Sequence, residues 1–171
     1  GDGHGDNKYG SQGDHFADDP ERWEDTDSDG VANQDDDFPF DASQQTDRDN
    51  DTYGDNPFGN RADAFPDDPN RWTDSDGDGV ADEDDAFEND ATQSEDRDND
   101  TYGDNPRGNF PDAFPDDSTE WMDSDNDGVG NNADAKPFDP TQTSDRDLDG
   151  YGDDPLGNGA DLFPDDSSQW A

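Results

Sequence analysis

Residues 74–85 read Asp-Ser-Asp-Gly-Asp-Gly-Val-Ala-Asp-Glu-Asp-Asp, and the spacing of the acids in this stretch decides the fold. Counted from Asp74, acids stand at positions 1, 3 and 5, glycine stands at position 6, and further acids stand at positions 9 and 12. The pattern recurs 49 residues earlier, at 25–36, and 49 residues later, at 123–134, with Asn at position 9. Each copy begins two residues after a tryptophan, so we call these three segments the Trp loops.

A second kind of acidic loop alternates with the first. Residues 47–63, 96–112 and 145–161 also start with acids at positions 1, 3 and 5, but they carry tyrosine at position 7, so we call them the Tyr loops. A five-residue insertion, Asn/Asp-Pro-x-Gly-Asn, displaces their closing acid toward the C-terminus. Such a sequence is typical of a turn at the surface. Without the insertion the two kinds of loop would have the same length, so one ancestral unit underlies both.

The composition excludes an ordinary globular domain. The chain has 171 residues, 52 Asp plus Glu against 9 Lys plus Arg, a net charge of −43, and only 22% hydrophobic residues. Such a chain cannot offset its ordering entropy by apolar burial, and low hydrophobicity with high charge is typical of disorder. The regular spacing of Trp23, Trp72, Trp121 and Trp170 argues against a disordered tail. We therefore predict an irregular fold with few regular secondary elements and a minimal hydrophobic core.

Alternating acids in a tight loop favour Ca²⁺, which takes six to eight oxygen ligands, over Mg²⁺, which keeps its waters. Cysteine is absent and only two histidines are present, so thiolate and histidine-rich metal sites are excluded. In the Trp loops the predicted ligands are Asp25, Asp27, Asp29, Val31, Asn33 and Asp36; Asp74, Asp76, Asp78, Val80, Asp82 and Asp85; and Asp123, Asp125, Asp127, Val129, Asn131 and Asp134. In the Tyr loops they are Asp47, Asp49, Asp51, Tyr53, Asp55 and Asp63; Asp96, Asp98, Asp100, Tyr102, Asp104 and Asp112; and Asp145, Asp147, Asp149, Tyr151, Asp153 and Asp161. The valines and tyrosines would contribute backbone carbonyls. We expect at least six calcium ions, with one or about two per loop.

The loops divide the chain into repeat units. We predict a short degenerate first repeat at 1–22, three full units at 23–71, 72–120 and 121–169, and the start of a further unit at 170–171. The first repeat has Gly3, Gly5 and Asn7 where the other copies have acids, so we expect a weak or empty site there. Because the chain ends where another Trp loop would begin, we expect the array to continue, within a longer chain or by end-to-end assembly.

The sequence resembles thrombospondin type 3 repeats of the cysteine-free bacterial type. The resemblance rests on Asp-x-Asp-x-Asp-Gly-Val followed by Phe-Pro-x-Asp-Pro-x-x-Trp, as in Phe65–Trp72, and it covers nearly the whole chain. It implies an elongated, calcium-stapled array on a prokaryotic cell surface, in which the peptide wraps a line of ions. It also implies that acids between the loops ligate neighbouring ions, here Asp41, Asp90, Asp139, Asp67, Asp116 and Asp165. The chain departs from the pattern at Thr52 and Thr101, where glycine is expected.

The leading functional hypothesis is a calcium-rigidified extracellular stalk, spacer or fibril segment. The alternatives are a calcium-dependent adhesin or carbohydrate-binding module and an acidic calcium buffer. No catalytic motif is present, so we do not expect an enzyme. The strong negative charge disfavours nucleic acid as a partner, and no apolar run is long enough for membrane insertion. Asn50 and Asn99 lie in N-glycosylation sequons.

Overall fold

The computed structural model describes Tyr9 and residues 13–171, and these residues form no helix. Their regular backbone pairing consists of isolated parallel bridges, from Gly54 to Ala62, from Gly103 to Pro111 and from Gly152 to Ala160. Gly13 also lies in a bridge, and all other described residues lie in turns, bends and irregular segments. The prediction of an irregular fold is therefore confirmed. The acid-poor positions Gly3, Gly5 and Asn7, expected to form a weak site, lie outside the described residues.

The chain divides into two compact units. One comprises Gly1–Ser75 with Ala81–Glu83, and the other comprises Asp76–Val80 with Asp84–Ala171. The division falls inside the second Trp loop, 74–85. Each unit contains complete Tyr and Trp loops, and these are described below within their own unit.

The buried material in both units is polar. Among the described residues the buried apolar side chains are those of Ala32 and Ala81, whereas the largest fully buried side chains are three glutamines. Seven of the other buried polar residues are aspartates. Apolar burial on this scale contributes little stability, since it scales with the apolar area removed from water. The fold must therefore depend on hydrogen bonds and on whatever satisfies the buried acids.

The backbone follows one path through the loops. Position 4 has a positive φ in every complete loop, at Ser28, Asn50, Gly77, Asn99, Asn126 and Leu148. Position 6 does so as well, at Gly30, Thr52, Gly79, Thr101, Gly128 and Gly150. Thr52 and Thr101 each have φ 79°, close to the 93–100° of the position-6 glycines. The threonines thus accept a left-handed conformation that β-branched residues rarely adopt.

Each tyrosine of a Tyr loop stacks on the tryptophan 19 residues later. The ring centroids are 5.1 Å apart for Tyr53 and Trp72, 5.0 Å for Tyr102 and Trp121, and 5.2 Å for Tyr151 and Trp170. The planes are within 12° of parallel. Pairs of this kind contribute about 0.5–1.5 kcal/mol beyond the area that they bury. The stacks join each Tyr loop to the segment that follows it, and they do so without an apolar core.

The described part of the chain offers no helix with the length and apolar character that membrane crossing requires.

Candidate metal centres

The acids at positions 1, 3 and 5 converge, as the sequence predicts. In at least four of the loops the three carboxylates offer oxygens that lie within 4.8 Å of one another. These groups are Asp25, Asp27 and Asp29; Asp47, Asp49 and Asp51; Asp96, Asp98 and Asp100; and Asp123, Asp125 and Asp127. Oxygens at this spacing can all reach one metal ion.

The position-1 carboxylate organises the turn around which the other acids are arranged. In the first Tyr loop, Asp47 Oδ1 accepts from the backbone N–H of Asn50 at 2.7 Å, and Oδ2 accepts from that of Thr52 at 2.9 Å. Equivalent bonds join Asp123 to Asn126 and Gly128 at 2.7 and 2.9 Å. The positive φ values at positions 4 and 6 aim these N–H groups at one side chain.

Most of the acids at positions 3 and 5 engage one oxygen in a hydrogen bond and leave the other without one. The exceptions are Asp29, whose Oδ2 also accepts from Gln45 Nε2 at 2.7 Å, and Asp98, neither of whose oxygens receives a hydrogen bond. Asp51 Oδ1 accepts from the N–H of Tyr53 at 2.7 Å, and Asp127 Oδ1 accepts from that of Val129 at 2.8 Å. Their Oδ2 atoms are buried and receive no hydrogen bond. One oxygen therefore fixes the rotamer, and the second is left to face the other acids.

Five of the closing acids share this design and are buried, as is Asp25 at position 1, whereas the closing acid Asp85 is half-buried. Asp36, Asp63, Asp112, Asp134 and Asp161 are only 3–7% exposed. In each case Oδ1 accepts from the N–H two residues further on, for example from Phe65 to Asp63 at 2.7 Å. Asp14 of the first repeat is 3% exposed and accepts from Phe16 in the same way.

The insertion of the Tyr loops returns the displaced closing acid to its triplet. The bridge from Gly54 to Ala62 brings the chain back, and the N–H of Asp63 donates to the carbonyl of Gly54 at 2.9 Å. Burial raises the pKa of Asp63, and the charges of Asp51 and Asp49 raise it further. In the second Tyr loop burial likewise raises the pKa of Asp112, with a further contribution from Asp100 and Asp98. The closing acids thus lie within electrostatic reach of the acids that the sequence assigns to the same site.

The buried oxygens without a donor give a direct test of whether these residues fit a metal ion. No donor reaches Oδ2 of Asp27, Asp36, Asp49, Asp51, Asp63, Asp100, Asp112, Asp125, Asp127, Asp134, Asp147, Asp149 and Asp161. A buried charged oxygen without a partner is strongly unfavourable, so native proteins rarely keep one. All of these atoms, and both oxygens of Asp98, belong to residues at position 3, at position 5 or at the closing position. Oδ2 of Asp104, at position 9, is also buried without a hydrogen bond, but it lies 3.5 Å from the Arg97 guanidinium. A cation among the oxygens at positions 3, 5 and the closing position would satisfy them together, so the residues fit a metal ion.

In each loop the side chain at position 9 accepts a hydrogen bond from the backbone N–H of position 2. Asn33 Oδ1 accepts from the N–H of Thr26 at 2.8 Å, while its Nδ2 donates to the hydroxyl of Thr26 at 2.7 Å. Asp82, Asn131, Asp55, Asp104 and Asp153 accept from the N–H of position 2 in the same way. These side chains thus connect the two ends of the acidic segment. That they also ligate the metal ion remains a prediction. Asn50 and Asn99, of the two sequons, are exposed.

The acids that the thrombospondin resemblance places between ions pair with arginine in one set and accept hydrogen bonds from hydroxyl groups in the other. Arg48 in position 2 of the first Tyr loop pairs with Asp67 at 3.0 Å, and Asp67 is 81% exposed. Arg97 pairs with Asp116 at 3.1 Å, and Arg146 pairs with Asp165 at 2.9 Å. Asp41, Asp90 and Asp139 instead accept from the side-chain hydroxyls of Ser43, Thr92 and Thr141. In this structure the first set therefore pairs with position 2 of the preceding Tyr loop, and the second set accepts from a hydroxyl two residues further on.

Three buried glutamines that the sequence reasoning missed hold the insertions in place. Gln44 Nε2 donates to the carbonyls of Asn56 and Asn60 at 3.0 and 2.8 Å, and its Oε1 accepts from the N–H of Asn56 at 2.9 Å. Gln93 and Gln142 make the same contacts one and two units further on. A Cβ on Gly54 would lie 2.1 Å from Gln44 Cδ, so the close approach requires glycine at position 8. The sequence feature that could have revealed these glutamines is their fixed position, three residues before each Tyr loop.

The Trp loops have no insertion, and the residue three positions before them differs from the glutamine that precedes the Tyr loops. Glu120 stands there in the third Trp loop, 6% exposed, and accepts from the N–H of Asn132 at 2.9 Å. It also faces a glycine, Gly130, on which a Cβ would lie 2.0 Å from Glu120 Oε2. The first two Trp loops have arginine at this place, and their position 8 is a buried alanine. A buried glutamine or glutamate is thus matched to glycine at position 8, and arginine is matched to alanine.

No known family model matches the chain, and no curated protein is detectably similar to it.

Proposed function

We propose that this chain is a calcium-binding structural repeat protein in which the bound ions supply the stability that an apolar core supplies elsewhere. The observation that carries the proposal is the set of buried Oδ2 atoms without donors at positions 3, 5 and the closing position. Without a cation, each loop would concentrate several buried negative charges. With one, the same oxygens become its coordination shell.

Calcium is the ion that suits these donors best. The converging side chains offer carboxylate oxygens only, and each loop provides at least four such groups with its closing acid. Ca²⁺ accepts many oxygen ligands in flexible geometries, whereas Mg²⁺ demands an octahedral shell and gives up few waters. Soft or imidazole-preferring metals are disfavoured by the lack of cysteine and by only two histidines.

The proposed role is a calcium-rigidified stalk, spacer or fibril segment outside a prokaryotic cell, made of thrombospondin type 3-like repeats. Ligands this crowded repel one another without the ion, so metal binding and folding are coupled. Exposed loops of modest affinity suit the millimolar calcium found outside cells. Further copies of the repeat, in the same chain or end to end, are the partners we propose.

The exposed aromatic residues support a spacer over an adhesin. A binding surface built by repetition would present an aromatic at the same place in each unit. Phe58, at the tip of the first insertion, is 94% exposed, but Arg107 and Leu156 stand at the equivalent places. Phe40 and Phe138 are each 84% exposed, but Asn89 is their counterpart in the second unit. The surface at these places varies while the loops stay constant.

Solution scattering with calcium and with chelator tests the proposal. With calcium we expect the scattering of a folded, stiff particle, and with chelator that of a flexible chain. Native mass spectrometry of the same sample should count at least six ions. Magnesium at the same concentration serves as the control and should leave the chain flexible. Scattering that is unchanged by chelation would exclude calcium as the source of stiffness, and the proposal of a calcium-rigidified stalk would then be wrong.

A further inference from the structure

Lys136 breaks a pattern that every other closing turn keeps. The residue two positions after the closing acid is phenylalanine at 16, 38, 65, 87, 114 and 163, and it is lysine only at 136. The backbone of this turn is unchanged, since the N–H of Lys136 donates to Asp134 Oδ1 at 2.7 Å. The substitution therefore redirects only the side chain.

That side chain reaches into the third Tyr loop. Lys136 Nζ lies 3.1 Å from Asp145 Oδ2, and it also donates to the backbone carbonyl of Gly150. Asp145 is position 1 of the loop and Gly150 is position 6. The side chains of Lys136 and Asp145 are only 21% and 8% exposed, so the ion pair is shielded from solvent on both sides.

The first Tyr loop shows the arrangement without lysine. There Asp47 accepts hydrogen bonds from the backbone N–H groups of Asn50, Asp51 and Thr52. The third loop keeps the backbone bond, from Gly150 to Asp145 Oδ2 at 3.0 Å, and adds the ammonium group to the same oxygen. The remaining acids of the loop are equivalent, with buried Oδ2 atoms that lack donors on Asp147, Asp149 and Asp161.

We propose that Lys136 is a built-in counter-cation that weakens calcium binding at the third Tyr loop and makes the array respond to calcium in a graded way. The inference rests on the proposed function, because it assumes that the loop takes Ca²⁺. A fixed positive charge on the first ligand acid repels a divalent ion and already neutralises part of the charge that the ion would neutralise. Even at the dielectric constant of water, the Coulomb energy of one unit charge beside a divalent ion corresponds to roughly a tenfold loss of affinity, and the shielding of this pair from solvent makes that a lower bound. The third loop is therefore the last to fill.

The test is a calcium titration of the full chain, followed by the amide resonances of two equivalent residues. Thr101 and Gly150 both stand at position 6, and both donate to the position-1 carboxylate, at 2.9 and 3.0 Å. We expect Gly150 in the unmodified chain to change at a calcium concentration at least about tenfold higher than in Lys136→Met, in which the charge is gone while the length of the side chain is kept. The Thr101 midpoint should be the same in both chains and serves as the internal reference.

The control variant is Arg107→Met, which removes the same charge from an exposed insertion tip. It should leave both midpoints where they are. A Gly150 midpoint that Lys136→Met lowers by less than about threefold would overturn the inference. A Lys136→Met shift no larger than that of Arg107→Met would overturn it as well. If neither amide responds to calcium, the proposed function itself fails, and that result is distinct from both others.

Discussion

Replacing Gln93 by glutamate should loosen the second Tyr loop although the change is nearly isosteric. Gln93 is 2% exposed, and its Nε2 donates to the carbonyls of Asn105 and Asn109 at 3.0 and 2.9 Å. A carboxylate has no proton to donate at neutral pH, so both carbonyls would face a negative oxygen. The acceptor role of Gln93 toward the N–H of Asn105 would survive.

The magnitude follows from the two lost donors. A partly buried polar group that loses its partner costs about 1–3 kcal/mol, and burying the new charge adds to this. Because both carbonyls lie in a surface turn, we take the lower end for each and expect about 2 kcal/mol. Local opening of the insertion should then become about thirtyfold more frequent.

The assay is amide hydrogen exchange at saturating calcium, read at the N–H of Asp112, which donates to the carbonyl of Gly103 at 2.9 Å. The equivalent bond from Asp63 to Gly54, also 2.9 Å, is untouched and serves as the internal reference. Local exchange is preferable to global unfolding because repeat arrays open in parts.

The reciprocal change, Glu120→Gln, is the matched control. Glu120 accepts one backbone hydrogen bond and has no insertion to hold, so the substitution should alter local stability by less than about 1 kcal/mol. If Gln93→Glu changes the exchange of Asp112 by less than threefold, or if Glu120→Gln is the more damaging of the two, the donor role of the glutamines is wrong.

Three further predictions concern the loops themselves. Thr101→Gly should stabilise the calcium-loaded protein by about 1 kcal/mol by removing a left-handed β-branched residue, and Gly150→Thr should destabilise it by a similar amount; denaturant midpoints that move the other way contradict this. Asp112→Asn should remove one bound ion or lower its affinity at least about tenfold, whereas Asp116→Asn should change stability by less than about 1 kcal/mol, since the pair with Arg97 is exposed; isothermal titration calorimetry and chemical unfolding decide this. Burial raises the pKa of Asp112, so in chelator its folded-state pKa lies above the unfolded one, and the stability that it contributes is present at low pH and lost as the pH rises. Circular dichroism of the chelated protein should therefore show more structure near pH 4 than at pH 7, and the calcium-loaded protein should show the reverse.

The irregular fold and the convergence of the loop acids could be predicted from the sequence because both follow from local spacing. Acids at alternate positions of a turn meet whatever the surroundings, and a chain this poor in apolar residues cannot build layers of helix or sheet. The displaced closing acids were predictable as well. The turn sequence of the insertion implies that the chain leaves the loop and returns, as Asp63 does.

The glutamine contacts could not be predicted because glutamine is ordinarily an exposed residue. Its burial here depends on a glycine ten residues later and on two carbonyls of the insertion, and these relations appear only in three dimensions. The same holds for the ion pairs of Arg48 and Asp67. Both residues stand in acidic surroundings, and the sequence alone does not say which of many acids the arginine selects.

Near-UV circular dichroism during a calcium titration of chelated protein tests most directly whether ions hold this chain folded. In the stacked pairs Tyr53–Trp72, Tyr102–Trp121 and Tyr151–Trp170 the tyrosine belongs to a Tyr loop, so their signal reports whether these loops are in place. We predict that the aromatic signal is lost in chelator, returns as calcium is added, and does not return with an equal concentration of magnesium. An aromatic signal that persists in chelator would contradict the claim that bound calcium, rather than the polypeptide alone, maintains the fold.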